Sequence, residues 1–260
     1  MVAQNIDFDQ LKEVFINCDV EKAEATVSSD RDRILGEIKK TVRFEEMNSS
    51  IKKSLLESSK FEIEKIQDTI ESAKNLVKYA KFLLFTEATY MDALPLLLRA
   101  QSIYETQCGP DNAYVASILN DIGNLYKETG KPNEALPLLR KALEIHLKCC
   151  GDSDPDTSTS LNNLGNLLSK LGSHDEALIL LNQSFSIRES IFGLEHPLSA
   201  ASLNNIANIY KRMGNLKAAF DVQIKTLAIR EKIHGPEHTL TAVSLNNLYF
   251  VFFTLKIIDL

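Results

Sequence analysis

The sequence of 260 residues contains no tryptophan, only four cysteines, seven prolines and ten glycines. So little glycine and proline excludes a collagen-like chain, and a hydrophobic content of 44% excludes a disordered tail. Four cysteines in a chain of this length exclude a miniprotein stapled by disulfides. Cys18, Cys108, Cys149 and Cys150 form no C-x-x-C motif, so we expect reduced thiols and a cytoplasmic location.

A surplus of basic residues is also lacking. The 29 Lys and Arg against 35 Asp and Glu give a net charge of -6, which disfavours nucleic acid as a partner. Residues Met1 to Asp9 lack the pattern of a signal peptide. The most apolar stretch near the end, Leu248 to Phe253, is far shorter than the roughly 20 residues that cross a bilayer. We therefore expect no membrane span.

What the sequence does contain is an internal repeat. An offset of 42 residues holds from about Val77 to Leu248 without insertion or deletion. The residues that recur at this offset include Gly109, Gly151, Gly193 and Gly235; Gly130, Gly172 and Gly214; Ala93, Ala135, Ala177 and Ala219; and Ile103, Ile145, Ile187 and Ile229. A fixed period of this length indicates an array of small structural units.

Each unit is predicted to form two helices. In the first, Leu161, Leu164, Gly165 and Leu168 follow helical spacing and form one buried stripe, and Gly172 ends the helix. The second begins near Asp175 and Glu176, buries Ala177, Leu180, Leu181, Ser184 and Ile187, and stops at Gly193. So small a hairpin cannot cover its own apolar faces, so its copies must stack. The fold class is therefore all-α, an α-solenoid with little or no sheet.

The repeats resemble a known family. The spacing of Leu119, Ile122, Gly123, Tyr126, Ala135, Leu139 and Ala142 is similar to that of the tetratricopeptide repeat. The 42-residue period, the Leu-Asn-Asn-Leu motif, and the segments Glu134 to Ile145 and Gly235 to His238 resemble the kinesin-light-chain and nephrocystin-3 type. The resemblance implies a right-handed superhelix of hairpins whose concave groove binds a peptide of a partner protein.

We expect two regions, residues 1–74 and residues 75–260. The second is the solenoid, with about four repeats and an incomplete final one. Its first unit is degenerate, because Lys81 stands where other units carry a small residue. Its last unit has Tyr249 at that place and leaves an apolar face uncovered, so the array either is truncated or meets another subunit there. Apolar residues in residues 1–74 have helical spacing. Three interpretations stay open for this region: helices that close the solenoid, a coiled-coil arm, or the tail of another domain.

Asparagine predominates at the positions one, two and five residues after the first leucine of each first helix. These positions, expected to face the groove, are Asn120, Asp121 and Asn124; Asn162, Asn163 and Asn166; Asn204, Asn205 and Asn208; and Asn246 and Asn247. Asparagine is a poor helix former, so a periodic row of it needs a reason. One reason is a groove whose amides bind the backbone of a linear peptide. The alternative is a ladder in which the amides hydrogen-bond to one another between repeats.

Four cations lie near the ends of the same helices. Lys127, Lys170, Lys211 and Arg212 favour an acidic peptide as the partner. The alternative is that they only complement the helix dipole, which favours cations at a helix C-terminus.

Catalytic and metal sites are not indicated. His146, Cys149 and Cys150 have helical spacing, but no second cluster completes a zinc site. His196 and His238 match in phase and are interpreted as turn residues. No nucleophile is paired with a base at fixed spacing, and no G-x-x-x-x-G-K loop occurs. We therefore expect a non-enzymatic adaptor without cofactor or metal. The alternative is an assembly module that oligomerises through its C-terminal apolar face and N-terminal helices.

Overall fold

The computed structural model describes residues 67–85 and 90–258, and these residues form α-helices joined by turns, without a strand. The helices are α1 Ile70–Phe85, α2 Tyr90–Cys108, α3 Ala113–Glu128, α4 Pro132–Cys150, α5 Pro155–Lys170, α6 His174–Phe192, α7 Pro197–Arg212, α8 Leu216–His234 and α9 Thr239–Ile258. The all-α architecture predicted from the repeat is confirmed.

The chain divides into two compact units, the first extending to Ile103 and the second beginning at Tyr104. In the described part of the first unit, Leu76 and Leu97 are fully buried. Arg99 forms an ion pair of 2.8 Å with Asp68. Most of the helical segment predicted for residues 1–74 lies outside the described residues, so its three interpretations stay predictions.

The second unit contains three hairpins of nearly identical construction, α3 with α4, α5 with α6, and α7 with α8. Gly172 illustrates how each hairpin turns. Helix α5 ends at Lys170, Gly172 adopts φ +89°, and the Ser173 N–H then donates to the Leu168 carbonyl at 2.9 Å. A residue with a side chain would be strained at this φ, so the predicted role of Gly172 in ending the helix is confirmed.

Small residues let the two helices of a hairpin approach closely. A Cβ built on Gly165 would lie 2.9 Å from Cγ of Leu181 on the second helix. A Cβ on Gly123 would lie 2.6 Å from Cδ2 of Leu139. In α7 the same position holds the buried Ala207. The position therefore sets the distance between the paired helices.

Adjacent hairpins share one core. Leu139 of α4, Leu164 of α5, Leu181 of α6 and Ile206 of α7 belong to a single buried cluster. Each hairpin thus covers the apolar face of the next, as expected for an array whose units cannot be stable alone.

Helix α9 extends well beyond the apolar stretch near the end of the sequence. The apolar stretch Leu248 to Phe253 lies within a helix that starts at Thr239, and the segment Thr239–Ile257 has a mean hydropathy of 1.3 with 17% of it buried. Judged by length and composition alone, α9 is the one helix among the described residues that could cross a membrane. The expectation of no membrane span rested on the six residues Leu248 to Phe253, which are part of this longer helix.

Candidate functional site

The first two asparagines of each motif form an amide ladder between repeats. Nδ2 of Asn205 donates to Oδ1 of Asn162 at 3.0 Å. The same contact joins Asn247 to Asn204 at 3.3 Å and Asn163 to Asn120 at 3.5 Å. Each rung joins the second asparagine of one repeat to the first of the preceding repeat. These are the hydrogen bonds of the ladder interpretation.

The two ends of the amide ladder differ. Asn120 is buried, and its Nδ2 also donates to Oγ of Ser160 at 2.6 Å. Asn246 is exposed, although it occupies the position that accepts a hydrogen bond in the preceding rungs. Asp121, in phase with Asn163, is half-buried on α3. None of these three side chains lines the pocket described next.

The third asparagine of the motif lies beside a pocket between α5 and α7. Its volume is about 250 Å³, and its lining is formed by Asn166, Ser169, Asn205, Asn208, Lys211 and Arg212. Asn166 and Asn208 thus lie at the same pocket. We call the first-helix side that carries this pocket the groove surface. Asn124 lies in phase with both, and its Oδ1 accepts from Nζ of Lys127 at 3.1 Å.

The four predicted cations have different surroundings. Lys127 also forms an ion pair of 3.2 Å with Glu128, so an acidic side chain already neutralises it. Lys170 donates to the backbone carbonyl of Lys127 at 3.1 Å. Lys211 and Arg212 line the pocket together, and no acidic residue does.

Burial and the charge of Arg212 lower the pKa of Lys211. Both causes disfavour the charged ammonium form of Lys211. A bound anion would therefore stabilise that charged form and offset the unfavourable free energy of burying it. Nζ of Lys211 lies 5.1 Å from the ring centre of Phe250 on α9. Phe250 is exposed and stands in phase with Asn208, so an aromatic side chain follows the amides on the groove surface.

A second set of polar residues, missed in the sequence analysis, joins each hairpin to the next. Arg188 on α6 is buried and donates to Oγ of Ser202 at 2.9 Å, to Oγ of Ser158 at 3.2 Å and to the Leu198 carbonyl at 3.3 Å. Burial lowers the pKa of Arg188 to about 10. All three partners are neutral, so this buried cation lacks a carboxylate among these contacts.

The same junction recurs in neighbouring repeats. Arg230 donates to Oγ of Ser244 at 2.9 Å and to the Leu240 carbonyl at 3.0 Å. In the preceding repeat His146 takes this place and lies 2.7 Å from Oγ of Ser160. The 42-residue spacing of His146, Arg188 and Arg230 could have revealed this junction in the sequence. It was not recognised because the residue type changes from histidine to arginine.

The residues considered for a metal site make hydrogen-bond contacts within the protein instead. His146 is 1% exposed, and its Nε2 lies 3.2 Å from the Ala113 carbonyl. Cys149 donates from Sγ to the Asp111 carbonyl at 3.3 Å. Within residues 67–85 and 90–258, no three His, Cys, Asp or Glu side chains are grouped so that they could hold a metal ion.

Comparison with known proteins agrees with this architecture. The family model described as "Tetratricopeptide repeat" matches residues 71–148, 130–190, 156–230 and 198–250, which together cover more than half of the chain. A comparison with curated proteins gave no match.

Similar solved structures include one from Podosopora anserina and one from P. vanneervenii. The nearly identical TPR-like repeats assigned to a kinesin light chain from Podosopora anserina share 21% identity, with a TM-score of 0.61 over 72% of this chain and 88% of that one. BtubC (BKLC) from P. vanneervenii shares 15% identity, with a TM-score of 0.62 over 97% of this chain and 85% of that one. At these identities the likeness concerns the fold. The chain belongs to the tetratricopeptide repeat family, and its repeats have the fold of kinesin-light-chain repeats.

Proposed function

We propose that this protein-interaction scaffold is a non-enzymatic adaptor that binds an acidic linear peptide along the groove surface. The observation that carries the proposal is the pocket in which Asn166 and Asn208 adjoin Lys211 and Arg212 without an acidic residue. A carboxylate placed there would accept charge-assisted hydrogen bonds, which are stronger than those between neutral groups.

The amides supply the second part of the mechanism. An asparagine side chain both donates and accepts, so it can pair with a peptide backbone whatever the peptide side chains are. Asn166 and Asn208 do so in this proposal, whereas Asn162 and Asn205 are engaged with each other in the amide ladder. Each peptide hydrogen bond contributes about 0.5–1.5 kcal/mol net, so several in register support micromolar binding.

The proposed setting is the cytoplasm. Cys108, Cys149 and Cys150 are free thiols, and the first two are exposed. Free exposed thiols persist in a reducing compartment.

An array of extended peptides of graded charge tests the proposal, followed by fluorescence anisotropy with the tightest acidic peptide. Asn208→Ala and Lys211→Ala should each weaken binding about 5- to 10-fold, corresponding to the loss of one hydrogen bond or ion contact. Asn182→Ala and Lys225→Ala are matched controls, because both side chains are exposed on second helices. Binding that the controls weaken equally, or an array in which no acidic peptide binds, would refute the proposal.

A further inference from the structure

Helix α9 carries an aromatic residue at the position that sets the distance between paired helices. That position holds Gly123 in α3, Gly165 in α5 and Ala207 in α7, and all three are buried. In α9 it holds Tyr249, which is 66% exposed. Lys81, the in-phase residue of α1, is also exposed. The small residues at this position are therefore buried, whereas the two large ones are exposed to solvent.

An ordinary second helix cannot cover α9 in the way that α6 covers α5. The Leu181 side chain would already lie within 2.9 Å of a single added carbon on Gly165. A tyrosine side chain at the same place fills the volume that such a helix occupies. The occupant of this face must therefore stand farther away and interdigitate with large side chains, as helices packed at 8–10 Å do.

The exposed face is large enough to form an interface. Leu245 is 46% exposed and Phe253 is 53% exposed, and with Tyr249 they form a ridge at spacings of four residues. Ile257, four residues after Phe253, extends the ridge. Phe252, three residues after Tyr249, lies beside it, with its ring centre 6.3 Å from that of Phe220 on α8. Since a whole aromatic side chain buries about 150–250 Å², we estimate that the face offers roughly 500 Å². Two such faces would together bury about 1,000 Å², the lower limit for a specific interface.

We propose that this face binds a second copy of the chain, with α9 packed antiparallel against α9 about a two-fold axis at Tyr249. Tyr249 lies in the middle of α9, so the axis would place Leu245 opposite Phe253 of the partner subunit. The ridge is therefore complementary to itself, as an isologous interface requires.

The charges of α9 are compatible with this pairing. Lys256 is the one charged residue of the helix, seven residues from Tyr249, and its Nζ lies 5.3 Å from the ring centre of Phe252. In the antiparallel pair the two Lys256 positions lie roughly 21 Å apart along the axis, given a rise of about 1.5 Å per residue. That separation exceeds the Debye length of about 8 Å at physiological salt, so repulsion is screened. The contact does not involve the groove pocket, so it is independent of peptide binding.

Sedimentation velocity of the full chain from about 1 to about 100 µM tests the proposal, since this range includes typical dissociation constants of modest interfaces. We expect a concentration-dependent dimer that Tyr249→Glu and Phe253→Glu weaken by about 100-fold or more, because each buries an unpaired charge. Phe250→Glu is the matched control, because Phe250 adjoins Tyr249 in sequence but lies on the groove surface. Circular dichroism establishes that each variant is folded.

A second measurement addresses the geometry. With the four native cysteines replaced by serine, Tyr249→Cys should form a disulfide between copies on mild oxidation, whereas Phe250→Cys should not. A wild-type monomer at every concentration would overturn the proposal. So would a dimer that survives both glutamate variants, or a monomer that floats with phosphatidylcholine and phosphatidylserine vesicles, which would make α9 a membrane contact.

Discussion

Nδ1 of His146 lies 2.7 Å from Oγ of Ser160, at the junction between α4 and α5. The other ring nitrogen, Nε2, lies 3.2 Å from the Ala113 carbonyl, which can only accept. A neutral imidazole therefore carries its proton on Nε2 and accepts the Ser160 hydroxyl at Nδ1. Since Ser160 also accepts from Asn120, this histidine is connected to the first rung of the amide ladder.

Acidification should destabilise the fold through His146. Burial lowers its pKa, and the hydrogen bond to the Ala113 carbonyl and the charges of Asp156 and Asp154 only partly oppose that shift, so the unfolded chain binds the proton first. Stability should therefore be retained above about pH 6.5, the unfolded value, and decrease as the pH falls towards the folded pKa. Thermal unfolding at about pH 7.5 and pH 5.5 measures the change.

His146→Gln should reduce this pH dependence. The matched control is His196→Asn, which removes a histidine at the N-cap of α7 but keeps a side chain that can cap the helix. An unaltered pH dependence in His146→Gln would contradict the assignment.

The arginine at the next junction should contribute more to stability than an arginine in a surface ion pair. Arg188→Ala leaves a cavity and removes the donor to the Leu198 carbonyl and Ser202, so we expect a loss of about 3 kcal/mol in the free energy of unfolding. Arg140→Ala removes an exposed ion pair of 2.9 Å with Glu176 and should cost less than about 1 kcal/mol. Urea unfolding measures both losses in the free energy of unfolding. A larger loss in Arg140→Ala than in Arg188→Ala would show that the junction contributes little to stability.

Leu164→Ala should destabilise the array as a whole. Leu164 is buried in the cluster shared by successive hairpins, so its truncation should lower the free energy of unfolding by about 2–5 kcal/mol. Ile179→Ala is the control, because the Ile179 side chain is exposed and should lose less than about 0.5 kcal/mol. Calorimetry provides the comparison. Similar losses in both variants would mean that the hairpins do not depend on a shared core.

Two asparagines on α7 should differ in their effect on stability. Asn205→Ala removes the hydrogen bond to Asn162 and should cost about 0.5–1.5 kcal/mol. Asn208→Ala should leave the free energy of unfolding nearly unchanged, because its proposed partner is a peptide. Chemical denaturation of both variants without peptide measures this. A larger loss in Asn208→Ala would assign that amide to the fold.

The periodic part of the fold could be predicted from the sequence because each unit repeats the same local physics. Gly172 follows the end of α5, and Leu164 and Gly165 are buried, because the residues that do this recur every 42 positions. The apolar stretch Leu248 to Phe253 was considered apart from the polar residues that begin the same helix, so its place in a helix of 20 residues was not recognised.

Contacts between repeats were harder to predict from the sequence. The amide ladder joins Asn162 to Asn205, positions that differ by 43 residues rather than by the repeat length. Phase alone shows that both lie near one face, but it does not identify the partner of each amide. The junction with Arg188 was missed for a related reason, since a periodic search finds recurring residue types rather than recurring hydrogen bonds.

The most direct test of the proposed function is to follow the asparagine side-chain amide resonances by NMR while adding the tightest acidic peptide from the array. The side-chain amide resonances of Asn166 and Asn208 should shift strongly on binding. Those of Asn162 and Asn205, which already bond to each other, should move much less. Saturable peptide binding that leaves Asn166 and Asn208 unshifted would show that these two amides do not bind the peptide.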